Sequence, residues 1–87
     1  MGQRIRLSQI KQALADAGHE PSEFLGDCWD PGYRCAPAGP REVRVFHDGA
    51  GESDGLTAYT SALRALGYHV VADTPHGNRH RLIVSRP

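Results

Sequence analysis

Five histidines, two cysteines and one acidic glycine loop are the parts of this 87-residue chain whose types and spacing could do chemistry. The loop, Asp48-Gly49-Ala50-Gly51-Glu52-Ser53-Asp54-Gly55, lies between an alternating apolar stretch and a helical one. A strand, a G-x-G, a helix and a further strand ending in an acid, here Asp73, is the outline of a dinucleotide-binding unit. The details argue against it. The third glycine, Gly55, comes one place late, and Glu52 and Asp54 stand where a pyrophosphate would be repelled. So short a chain also cannot build the full doubly wound sheet. The loop therefore reads as a capped helix start, and no cofactor is expected. Asp48, Glu52 and Asp54 lack the ligand spacing of a calcium loop.

Six residues separate Cys28 from Cys35, wider than the usual zinc pair, while His76 and His80 have workable spacing in a hairpin tip. Nothing brings the two pairs together, so a small zinc-stabilised domain stays a minor reading. His47-Asp48 is a contiguous pair at a strand end, where alternation sends the two side chains to opposite faces. Ser8, Ser22, Ser53, Ser61 and Ser85 lie in no nucleophile-elbow context, and neither cysteine has a histidine at a supporting spacing. The chain is expected not to be an enzyme.

The residues that remain are arginines. Nine of the ten basic residues are arginine, with Lys11 the exception, which suits a GC-rich genome or sites that use a flat, forked donor. Their placement follows from the elements. Gln3–Leu7 alternates as a short half-buried strand. Ser8 then offers an N-cap to a helix carrying Ile10, Ala13, Leu14 and Ala17 and ended by Gly18. Phe24–Trp29 and Tyr33–Ala36 flank Asp30-Pro31-Gly32. As a hairpin turn this sets Cys28 opposite Cys35, Trp29 opposite Arg34 and Asp30 opposite Tyr33. Glu42–His47 alternates again. Ser53 or Asp54 caps a second helix with Leu56, Tyr59, Leu63 and Leu66 on its apolar face and Gly67 at its end. Tyr68–Asp73 and Arg81–Ser85 close the domain as a hairpin. A three-residue loop, His76-Gly77-Asn78, registers Val70 with Val84, Ala72 with Leu82 and Asp73 with Arg81.

The expected fold is α+β: a mainly antiparallel sheet with two helices on one face, roughly β-α-β-β-β-α-β-β, in one domain spanning 1–87. A ferredoxin-like or duplicated βαββ plan is the nearest architecture. If Ile5, Leu7, Val43, Val45, Val70, Ala72, Leu82 and Val84 lie under the helices, the other face carries Arg4, Arg6, Arg44, Phe46, His69, Val71, Arg81 and Ile83. Arginines beside an aromatic ring bind single-stranded nucleic acid, and they also anchor protein interfaces. The formal net charge of zero lacks the basic excess of a dedicated nucleic-acid binder. The acidic clusters elsewhere make the molecule electrostatically two-sided.

The first nine residues, MGQRIRLSQ, lack the apolar region of a secretion signal, and no run reaches membrane-spanning length. A cytoplasmic setting with reduced thiols is expected. A helix-turn-helix is disfavoured because residues 19–24 do not continue into a basic second helix. The expected function is that of a small interaction module, an accessory protein of a high-GC bacterium, phage or mobile element. It would bind a protein partner or itself through the arginine-lined face, with DNA or RNA binding by the same face as the alternative.

Overall fold

A computed structural model describes residues 5–25, 28–49, 51–73 and 80–86, with 23–25 and 28–30 described by their backbone alone. Its elements in chain order are α1 (Leu7–Asp16), β1 (Glu23–Leu25), β2 (Cys28–Asp30), β3 (Gly32–Pro37), β4 (Glu42–Asp48), α2 (Glu52–Ala65), β5 (His69–Asp73) and β6 (Arg81–Ser85). The class is α+β. β3, β4, β6 and β5 form a four-stranded sheet in that order, and β1 and β2 form a separate two-stranded one. Both β4 and β5 run antiparallel to β6. They are therefore parallel to each other, joined through α2 and separated by β6, which is a split β-α-β unit.

Alternation positions the core. Val43 and Val45 of β4, Val70 of β5, Leu82 and Val84 of β6 and Tyr33 of β3 are buried together with Leu56, Tyr59 and Leu63 of α2 and Ile10, Ala13 and Leu14 of α1. The β5–β6 register is the expected one: Val70 faces Val84, Ala72 faces Leu82 and Asp73 faces Arg81. A one-residue slip would have moved the valines out of the core, so the apolar pattern selects this pairing. The three-residue tip loop expected at 76–78 lies outside the described residues.

Several expected details differ. Residues 3 and 4 of the first expected strand lie outside the described residues, and the part that is described is not a strand. Ile5 and Leu7 do join the core, but Leu7 already begins α1. The helix starts there because Gln9 Oε1 accepts the Arg6 backbone N–H at 3.0 Å, satisfying a donor that the first turn leaves open. Ser8 is thus inside the helix and not its cap. The second helix also begins early, after Gly51 at φ +78°. Ser53 and Asp54 lie in its first turn. Glu52 and Asp54 there meet the positive end of the helix dipole, and Arg64 meets the negative end. Leu66, expected in the core, falls at the C-cap and is 61% exposed. Ala72, expected inward, is exposed beside the mouth of a cleft.

The expected Cys28–Cys35 hairpin does not form. Leu25 is opposite Cys28, and Val45 is opposite Cys35. Gly32 is used for close approach and not as a turn centre. Ser22 N–H donates to Tyr33 O at 2.9 Å and Tyr33 N–H to Glu20 O at 3.0 Å. A Cβ on Gly32 would collide with the backbone of Glu20, Pro21 and Ser22. This crossing segment closes the edge of β3 at Tyr33.

Candidate interaction surface

The two helices cover one face of the sheet, and the other carries the candidate surface. Cross-strand neighbours order it in rows. Ala36 faces Arg44, Arg44 faces Ile83 and Ile83 faces Val71. In a second row Glu42 faces Ser85, which faces His69. Arg34 faces Phe46, and Arg81 faces Asp73. Of the expected site residues, Arg44, Phe46, His69 and Arg81 share this face with Val71 and Ile83. Arg6 does not: it stands before α1, beside Ile5, Gln9 and Pro40. Arg4 lies outside the described residues.

Acidic partners change the electrostatics of this face. Arg81 Nε donates to Asp73 Oδ2 at 2.7 Å. Arg34 Nε donates to Asp48 Oδ2 at 2.9 Å, and Ser22 Oγ donates to the same oxygen at 2.8 Å. Asp48 is only 5% exposed under this cover. Counting Arg34, Arg44 and Arg81 against Glu42, Asp48 and Asp73, the surface is balanced. Arg34 also lies over the Phe46 ring, its Cζ 4.4 Å from the centroid, and a guanidinium in that position is held by the ring's quadrupole. The Arg44 Nε is shielded from solvent and has no hydrogen-bond partner among the described residues. Val71 is 47% exposed, and it and Leu66 are the large apolar residues left in solvent among those described.

Reading the sequence missed Arg34, Asp48 and Ser22 as members of this surface. The expected hairpin puts Arg34 opposite Trp29, and pairing with β4 instead brings it to Phe46. The Asp48 contact to Ser22 depends on the Glu20–Ser22 crossing, for which Gly32 is the sole sequence signal.

No family model, curated protein or solved structure matches this chain.

A separate polar cluster lies on the helix side of the sheet. His47 Nδ1 is 2.7 Å from the Tyr59 hydroxyl. Burial first, then the negative potential of Tyr33, Asp48 and Cys35, pushes the Tyr59 phenol up to about 12. The phenol therefore keeps its proton, and it shares a short hydrogen bond with Nδ1 whose direction is set by the imidazole tautomer. His19 meets the Tyr59 ring edge-on at 4.9 Å, and Tyr33 at 6.1 Å. Tyr33 reaches past the ring to donate to Lys11 O at 3.2 Å. Burial raises Tyr33 as well and pushes the Cys35 thiol up to about 11, against the opposing pull of Lys11. These shifts keep protons on and suit packed hydrogen bonds rather than an activated nucleophile. Helix α2 comes down directly on His47 at Gly55, where a Cβ would lie 2.5 Å from Nδ1. The late third glycine thus has a packing role.

A cleft between α2 and the ends of β5 and β6 holds about 260 Å³ and is lined by Glu52, Thr57, Thr60 and Arg81 among others. That is below the roughly 300–1,000 Å³ of ordinary small-molecule sites. No three His, Cys, Asp or Glu side chains gather as a metal site among the described residues. No described helix is long and apolar enough to cross a membrane.

Proposed function

We propose that this chain is a small non-enzymatic interaction module that binds protein, a partner or another copy of itself, through the outer face of its four-stranded sheet. The observation that carries the reading is the state of its arginines. Arg34 and Arg81 are neutralised by acids of the same face, and Arg34 occupies the Phe46 ring. A single-stranded nucleic acid needs unpaired cations for phosphates and a bare ring for bases. A protein surface suits this mixture better: an apolar centre at Val71 and Ile83, arginine and aromatic anchors, and a charge-balanced rim. The unpartnered Arg44 Nε supports it further, because a docked carbonyl or carboxylate could relieve that donor after a change of rotamer. The arginine excess suits a GC-rich source, and with the small size it fits an accessory protein of such a bacterium, a phage or a mobile element; a cytoplasmic setting is part of the same proposal.

The test is capture of partner from host lysate on immobilised protein, followed by titration with the partner recovered. Arg44→Ala and Phe46→Ala should each weaken binding by about 2 kcal/mol, roughly thirtyfold, as central anchors do. Binding unchanged in both variants overturns the reading. So does retardation of a single-stranded oligonucleotide that falls steeply with salt and is lost in the same variants, which would reassign the face to nucleic acid.

A further inference from the structure

The two edges of the main sheet are not alike. β3 is closed at Tyr33 by the crossing segment Glu20–Ser22. Among the described residues, β5 has a strand on one side only, β6. An open edge offers a row of unpaired backbone donors and acceptors, and proteins blunt such edges with proline, lysine, bulges or covering segments. β5 contains neither proline nor lysine, and its five residues pair with β6 without a bulge. Among the described residues, the side-chain contact to its backbone is Arg64 Nη2 donating to Val70 O at 2.9 Å. That is one hydrogen bond from an exposed side chain, exchangeable for an N–H of an incoming strand.

The sequence of β5, His69-Val70-Val71-Ala72-Asp73, is complementary to itself when read backwards. We propose that β5 pairs antiparallel with β5 of a second copy about a two-fold axis at Val71, joining two sheets into one of eight strands. In that register His69 of each copy faces Asp73 of the other, twice over. Val70 faces Ala72, which covers the small residue that is exposed in the single chain. Val71 faces Val71. Any two-fold contact is self-complementary by construction, but it need not be favourable, and here every facing pair matches in character. His69 can donate to a carboxylate that already accepts from Arg81, since a carboxylate takes several donors. The outer face then gains a continuous apolar row, Ile83-Val71-Val71-Ile83, with an Arg44 at each end. Val71, a large apolar side chain left in solvent in the single chain, thus sits at the axis.

This inference goes beyond the protein-binding reading: it places a second copy at the sheet edge and leaves the partner of the outer face to the test given above. Sedimentation of the full chain over a range of concentrations should show a reversible monomer–dimer equilibrium. Val71→Lys places like charges directly across the axis and should weaken the dimer by at least about tenfold. Because Val71 is half in solvent, the fold should survive, as judged by a thermal midpoint equal to wild type at a concentration where both are monomeric. His69→Asp should weaken the dimer likewise, and His69→Asp with Asp73→His should restore it. Register is read by a short bis-maleimide: Val71→Cys should crosslink to dimer well above wild type, and Ser85→Cys, on β6, should not. A chain that stays monomeric at all concentrations overturns the proposal. A dimer that ignores Val71→Lys and fails to crosslink through Val71→Cys also overturns it, while leaving protein binding by the sheet face standing.

Discussion

Gly55 shows how a residue with no side chain can control a buried network. Alanine there gains about 1 kcal/mol of helix propensity. The new methyl would lie 2.5 Å from His47 Nδ1, and the imidazole cannot yield easily because Tyr59 holds it and both are buried. Overpacking of this kind costs about 1–3 kcal/mol, so the clash wins. Gly55→Ala should lower the urea midpoint despite its better propensity. The protons of the same region predict a response to alkali. Cys35 is raised from 9.0 to about 11 and Tyr59 from 10.0 to about 12. Above their ordinary values the unfolded chain loses these protons first, which favours unfolding. Their contribution is therefore full below pH 9 and disappears as pH rises through 11 and 12. Urea midpoints should fall over this range, and Cys35→Ala should flatten the part between pH 9 and 11.

The helices and strands differ in how readily the chain announced them. Helix α2 carries Leu56, Tyr59 and Leu63 at helical spacing, and β4 to β6 alternate cleanly, so both were legible along with the β5–β6 register. Leu63 is fully buried and Leu66 is 61% exposed. Leu63→Ala should cost about 2–5 kcal/mol and Leu66→Ala within about 0.5, measured by equilibrium unfolding. One helical repeat separates them, yet only one faces the sheet, because Gly67 ends α2 before Leu66 completes a turn. The first half was less legible for a physical reason. Arg4 to Leu7 alternates over too few residues to distinguish a strand from a helix entry. Asp30-Pro31-Gly32 has turn chemistry, but the missing Cβ of Gly32 serves a backbone crossing with Glu20, and such non-local contacts leave no periodic trace. The candidate face was legible at Arg44, Phe46, His69 and Arg81 by alternation alone. Its neutralisation was not, since Asp48 reaches Arg34 only once β3 is registered on β4.

For the molecule as a whole, the balance of charge visible in the composition turns out to be local as well as global. Each cation of the outer face except Arg44 has a short-range acidic partner there. The face is therefore suited to close contact more than to long-range steering, which requires unbalanced charge. The order β3-β4-β6-β5 has a different consequence. The strand formed from residues 81–85 is inserted between two that precede it, joining β4 to β5. During synthesis the ribosome must therefore release nearly the whole of this sequence before a sheet can close. Until then no strand links Val43 and Val45 of β4 to Val70 of β5, and α2 is the element that touches both. The nascent chain is exposed to chaperones and proteases until residues 81–85 emerge, and a product terminated anywhere before Arg81 lacks the middle of its sheet and not merely a rim.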